Sequence, residues 1–260
     1  MKTLLHTVRR RLLLATRIGA NLQRADRLFA RVGLRIEPYG EHWDRHPTAD
    51  FPDAWQEIIG RVAPYTLTPA VRVAAVIQSV EHVVANEIPG AVVECGVWRG
   101  GSMMAAALAL LQTANRPDLY LFDTFAGMTR PTEVDVDYLD QTVWFDPNNP
   151  GAEASLAEVQ AAMAATGYPV DRVRFVEGRV EDTVPRAAPD EIAILRLDTD
   201  WYESTKHELE HLWPRLRAGG VLIIDDYGHF AGARKAVDEF FGRSVFLHRL
   251  DYTGRLVIKP

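Results

Sequence analysis

Apolar runs that alternate with helical patterns and stop at acidic residues predict a doubly wound α/β fold built on a seven-stranded, mostly parallel sheet. Three observations carry that prediction. Four runs, Ala91–Cys95, Leu119–Asp123, Glu191–Leu197 and Gly220–Ile224, are short and apolar enough to form buried strands. Helix-length stretches separate them, as parallel neighbours require of their crossovers. The acids Glu94, Asp123, Asp198 and Asp225 fall where those runs end, and the carboxyl edge is where such sheets bind ligands.

The chain opens with residues 3–32, where Leu4, Val8, Leu12, Ala15, Ile18, Leu22, Ala25 and Phe29 recur at helical spacing until Gly33. From 34 to 53, Pro, His, Asp and aromatic residues mark an irregular connection. A short helix at 53–62 follows, then one from Pro69 to Asn86 with Thr68 as its cap and Pro69 in its first turn. After the first strand, Gly96 to Ser102 forms a glycine turn into an alanine-rich helix that runs to about Thr113. Helices at 153–166, 202–216 and 231–242 separate the remaining strands, the third of which is Arg172–Val176. Val245–Leu250 and Leu256–Lys259, joined through Asp251 to Gly254, form a C-terminal antiparallel hairpin. The pattern divides the chain into a helical extension and connection, 1–64, and a core domain, 65–260.

Of the 260 residues, 47% are hydrophobic and 25% charged, the balance of an ordinary globular protein. Cys95 is the only cysteine, which excludes an internal disulfide and suits a reducing, cytoplasmic compartment. Charge is uneven: residues 1–35 carry nine Lys and Arg against Asp26 alone, so +8 sits on the extension and −14 on the rest of a chain whose net charge is −6. A basic amphipathic helix of this kind suits packing on the acidic body, assembly of a homo-oligomer, or contact with a membrane surface. Its longest apolar run, Leu12–Ala15, is too short to span a bilayer, and no nucleic-acid partner is expected.

Asp198 and Asp200 follow one apolar run and Asp225 and Asp226 another, so four carboxylates gather at one sheet edge. Two unit charges roughly 4 Å apart repel by about 4 kcal/mol at an effective dielectric of about 20, so the cluster calls for a cation or for shifted protonation. The turn at Gly96 has neither dinucleotide nor phosphate-loop spacing. An acid closing the first strand would repel a pyrophosphate and suit an amine-bearing, cationic cofactor such as S-adenosylmethionine. Asp123 would then receive the ribose hydroxyls, with Gly178 and Asp182 beside the adenine.

The stretches Glu94 to Gly101, Asp123 to Met128, Leu195 to Asp200 and Gly219 to Tyr227 resemble the macrocin O-methyltransferase family. Those enzymes have a class I methyltransferase, Rossmann-like fold, depend on a metal and S-adenosylmethionine, and methylate sugar hydroxyls. The resemblance covers about Tyr65 to Phe241. It implies that Asp198, Asp225 and Asp226 hold magnesium, that Asp200 is the general base, and that Thr66, Glu94, Gly96 and Asp123 contact the cofactor. Arg99, Ser102, Thr124, Phe125, Gly178, Asp182 and Asp198 complete the implied cofactor set.

A long segment, 128–151, carries Tyr138, Trp144 and Phe145 among acids and prolines, and suits a lid over a carbohydrate or glycoside acceptor. His229 is a second candidate base, set against a surface histidine at a helix start, and His207 and His211 read as solvated helix residues. The competing functions are a catechol- or phenol-type O-methyltransferase using the same ion and cofactor, and a noncatalytic cofactor-binding scaffold.

Overall fold

The computed structural model describes residues 48–260, and the helix expected over residues 3–32 lies outside that range. Helix α1 (Asp53–Val62) leads to α2 (Ala70–Ala85), and the alternation begins with β1 (Ala91–Cys95), α3 (Gly101–Leu111) and β2 (Leu119–Asp123). It continues through α4 (Leu156–Ala164), β3 (Val173–Glu177), the single turn α5 (Val180–Thr183), β4 (Ile192–Leu197) and α6 (Tyr202–Leu212). Then come β5 (Leu216–Ile224), α7 (Ala231–Phe241), β6 (His248–Arg249) and β7 (Arg255–Ile258).

The seven strands lie in the order β3-β2-β1-β4-β5-β7-β6. The first five are parallel, and β7 enters antiparallel between β5 and β6, which is the predicted doubly wound sheet with its C-terminal hairpin. The chain winds outward from β1 to β3 and then returns to β4 on the other side of β1. The carboxyl ends of β1 and β4 therefore flank the point where the winding direction reverses, and a crevice opens there.

Alternating side chains feed two cores, one on each face of the sheet. Val92, Ile194, Val221 and Ile223 pack against α2 and α3, joined by Ile58 and Val62 of α1. Val93, Cys95, Leu195, Leu197, Leu222 and Ile224 pack against α6 and α7 through Leu209, Leu212, Val237 and Phe241. Burial on both faces explains why these strands read as continuous apolar runs.

Four expectations need correction. Helix α6 stops at Leu212, because Pro214 follows within the next turn, and β5 starts at Leu216, four residues before the predicted Gly220. Strand β6 keeps only His248 and Arg249 of the six residues expected to be extended. Thr68 does not cap α2: no side chain caps that end, and the Thr68 hydroxyl instead accepts from Arg196 at 3.0 Å. A buried guanidinium with five donors claims acceptors ahead of an exposed helix end.

Helix α4 has a complete capping box. Ser155 Oγ accepts from the Glu158 amide, and the Glu158 carboxylate accepts from the Ser155 amide at 2.8 Å. Ser155→Ala is expected to lower stability by about 1 kcal/mol, read as a shift in the urea unfolding midpoint at unchanged slope.

Candidate active site

The loops after β1, β2 and β4 are built from unusual backbone. Gly96 has φ +79°, and a Cβ there would lie 2.0 Å from the Asp198 carbonyl oxygen, so only glycine lets the ends of β1 and β4 approach this closely. Trp98 (φ 46°), Phe125 (φ 50°) and Asp200 (φ 69°) occupy the left-handed region without being glycine, one in each loop. Such residues cost roughly 1–3 kcal/mol each and persist where the surroundings over-determine them. Asp123 supplies part of that restraint: Oδ2 accepts from the Val97 and Trp98 amides at 2.7 and 3.0 Å, and Oδ1 from the Phe125 amide at 2.8 Å.

Around these loops lies a cavity of about 430 Å³. Its walls include Thr66, Glu94, Gly96, Ser102, Asp123, Thr124 and Gly178 together with Asp198, Asp200, Asp225 and Asp226. Three of the residues expected near a cofactor, Arg99, Phe125 and Asp182, are not on its walls. Arg99 lies over the Trp98 ring, and Asp182 belongs to the single turn α5. Phe125 is 8% exposed and packs against Phe175, because its left-handed backbone turns the ring into the core.

Ligand oxygens of Asp198, Asp225 and Asp226 all come within 4.8 Å of one another. Two arginines that the motif reading left without a role neutralise part of this charge. Arg196, in β4, gives Nη1 to Glu94 Oε1 at 2.5 Å and to Asp198 Oδ2 at 2.6 Å, and Nη2 to Asp225 Oδ1 at 2.5 Å. Arg72, in α2, binds the second oxygen of Asp225 and reaches Asp251 Oδ2 at 3.0 Å. A lone arginine within Leu195-Arg196-Leu197 was the available signal, since a charge in a buried strand must be paired.

The remaining carboxyls lean toward protonation. Burial pushes Asp226 up to about 7, with Asp198 adding to the effect. Burial, followed by the charges of Asp226 and Asp198, pushes Asp200 well above the ordinary carboxylate range. Burial raises Glu94 to about 7 although Arg196 opposes the shift, and its Oε2 is buried with no hydrogen-bond partner among the described residues. Glu208, also unforeseen, is fully buried beneath the β4 loop, where its Oε1 accepts from Thr199 Oγ1 at 3.0 Å. Burial holds its carboxyl well above the usual range.

His229 is half-buried in the cavity wall rather than on the surface. Its Nδ1 lies 3.0 Å from the Tyr252 hydroxyl and its ring 5.3 Å from that of Tyr138, and burial lowers its pKa. His207 and His211 are half-buried as well, each with a ring nitrogen against a backbone carbonyl, of Val184 and His207 respectively, and neither belongs to the acid cluster. The segment 128–151 is irregular but tied down. Asp135, 1% exposed, accepts from the Thr132 amide and hydroxyl and from the Tyr202 amide, while Trp201 Nε1 donates to the Thr129 carbonyl at 2.9 Å.

Comparison with known proteins adds independent findings. A family profile described as Macrocin-O-methyltransferase (TylF) matches residues 35–252, beyond both ends of the stretch covered by the motifs. The 8-demethyl-8-(2,3-dimethoxy-alpha-L-rhamnosyl)-tetracenomycin-C 4'-O-methyltransferase of Streptomyces olivaceus is 39% identical over 212 residues, 78% of this chain and 80% of that relative. The mycinamicin III 3''-O-methyltransferase of Micromonospora griseorubida is 36% identical over 63% of this chain and 65% of its own. Among solved structures, the O-methyltransferase NovP superposes with a TM-score of 0.63 at 30% identity, covering 75% of this chain and 82% of that one. The calicheamicin methyltransferase CalS11 superposes with a TM-score of 0.64 at 20% identity, covering 94% and 93%, and shows the shared fold.

Proposed function

The chain belongs to the macrocin O-methyltransferase (TylF) family and is an O-methyltransferase, and from that premise we propose that it moves a methyl group from S-adenosylmethionine to a sugar hydroxyl of a glycoside or oligosaccharide. The observation that carries this reading is one cavity lined both by Glu94 and Asp123 and by the four aspartates Asp198, Asp200, Asp225 and Asp226. The relatives' names, which specify glycosylated acceptors, support the choice of sugar. On this reading residues 65–260 are the methyltransferase domain, 1–64 a basic extension suited to a homo-oligomer, and 128–151 the acceptor lid. The ties of Thr129 and Asp135 to the start of α6 support the lid.

The donor set fits the implied partners. Glu94 Oε2 is a buried acceptor in want of a donor, which suits the amino group of the cofactor, and Gly96 allows backbone approach. Three clustered carboxylates suit a hard, oxygen-preferring divalent ion such as magnesium, with Asp198, Asp225 and Asp226 as its holders. Bound there, such an ion would supply positive charge that makes a nearby hydroxyl more acidic and favours the ionised form of Asp200.

Methyl transfer is an in-line displacement: the acceptor oxygen forms a bond to the methyl carbon as the carbon–sulfur bond breaks and its electron pair stays on sulfur. The attacking hydroxyl loses its proton to Asp200, whose position is set by Thr199 below it and by the hydrogen bond between the Trp201 amide and the Thr199 carbonyl. General-base help of this kind contributes roughly 10²- to 10⁴-fold. Orientation of both substrates in the cavity supplies much of the rest. The aromatic wall of half-buried His229 and Phe230 and exposed Tyr252 offers rings to the apolar face of a sugar.

The test is incubation with isotopically labelled S-adenosylmethionine across a panel of glycosides, oligosaccharides and catechols, read by mass spectrometry. Labelled methyl groups on glycosides are expected, and labelling of catechols alone would overturn the sugar assignment. EDTA is expected to abolish turnover and magnesium to restore it; turnover that resists the chelator would remove the divalent ion.

A further inference from the structure

We propose that Arg196 is a positioning residue for the cofactor, fixing Glu94 so that the free Glu94 oxygen meets the amino group of the methionine half of S-adenosylmethionine. This rests on reading the cavity as the site of that cofactor.

The geometry is specific to one guanidinium. Glu94 and Arg196 are direct neighbours across the β1–β4 pairing, so both side chains leave the same face of the sheet. Arg196 is 3% exposed, and its Nη1 donates to Glu94 Oε1, leaving Oε2 as the only uncommitted oxygen of that carboxylate. Its Nη2 donates to Thr68 Oγ1 at 3.0 Å, which anchors the segment Tyr65 to Thr68 along the same cavity. The two nitrogens thus serve four acceptors on four segments: Thr68, Glu94, Asp198 and Asp225. Without Arg196, Glu94 would be a buried carboxyl with no fixed partner, free to take up a proton or rotate, and it would lose its value to an ammonium group. An ammonium in place of the fork is a point charge that cannot reproduce this set.

The consequence is selective, which separates positioning from general structural support. S-adenosylhomocysteine carries the amino acid portion of the cofactor, whereas 5′-methylthioadenosine has the same nucleoside and sulfur but neither the α-amino nor the carboxyl group. Arg196→Lys, which keeps the buried charge, is expected to weaken S-adenosylhomocysteine by about tenfold or more and 5′-methylthioadenosine by no more than about twofold, measured by titration calorimetry without metal. Equal losses for both ligands, or an unchanged affinity for S-adenosylhomocysteine, would overturn the proposal. The charge-balanced pair Glu94→Gln/Arg196→Met guards against a misfolded single variant. It is expected to bind S-adenosylhomocysteine as Glu94→Gln alone does, because Arg196 acts through Glu94. A further loss in the pair would overturn the proposal. A wild-type protein that binds neither ligand would overturn the cofactor reading beneath it and the proposal with it.

Discussion

Asp200→Asn is expected to lower kcat by roughly 10²- to 10⁴-fold while S-adenosylhomocysteine binds within about twofold of wild type. The amide is the same shape as the carboxylate, and asparagine tolerates a left-handed backbone such as φ 69° as well as aspartate does. What it cannot do is accept the hydroxyl proton. Asparagine also removes an acid whose ionised form burial and the charges of Asp226 and Asp198 all disfavour, so the thermal midpoint is expected to hold or rise while turnover collapses. Single-turnover kinetics with calorimetric binding tests both halves. Turnover near wild type would strike Asp200 from the role of base.

The second large effect is expected at Gly96. A methyl group there would sit 2.0 Å from the Asp198 carbonyl oxygen, and the φ of +79° resists any L side chain. Neither backbone can yield cheaply, since β1 and β4 are paired central strands with Cys95 opposite Leu197. Gly96→Ala is therefore expected to cost about 4 kcal/mol or more, enough to threaten folding, and any folded fraction should lose cofactor binding. Urea unfolding of the purified variant decides it, and a stability within about 1 kcal/mol of wild type would contradict the contact.

The sheet was readable because its strands are buried on both faces, which leaves runs such as Val221 to Ile224 with no polar interruption. The start of β5 was hidden because Arg217, Ala218 and Gly219 interrupt the apolar run: they lie in an irregularity between the Ile192–Leu216 and Ile194–Val221 pairs. The acids were legible because a strand end has a fixed address in a parallel sheet. The arginines were not, since nothing local to Arg72 says that its partner is Asp225, more than a hundred residues away. Arg99, Phe125 and Asp182 left the cavity wall because side-chain direction after a strand depends on loop dihedrals, and left-handed φ values at Trp98 and Phe125 have no sequence signal outside glycine. His229 passed for a surface residue because its cover, Tyr138 and Tyr252, arrives from two distant segments.

The insertion of β7 between β5 and β6 bears on the order in which the site can be assembled. Until residues 255–258 emerge and pair, β5 is an edge strand with one flank unsatisfied, and it is the strand that delivers Asp225 and Asp226. The turn before β7 completes the same spot, with Thr253 Oγ1 donating to the Asp225 carbonyl at 2.8 Å and Asp251 holding Arg72. A nascent chain that has made every parallel strand therefore still lacks the support that sets its acid pair. The loops after β1, β2 and β4 can thus form earlier in synthesis than the support for the Asp225–Asp226 pair.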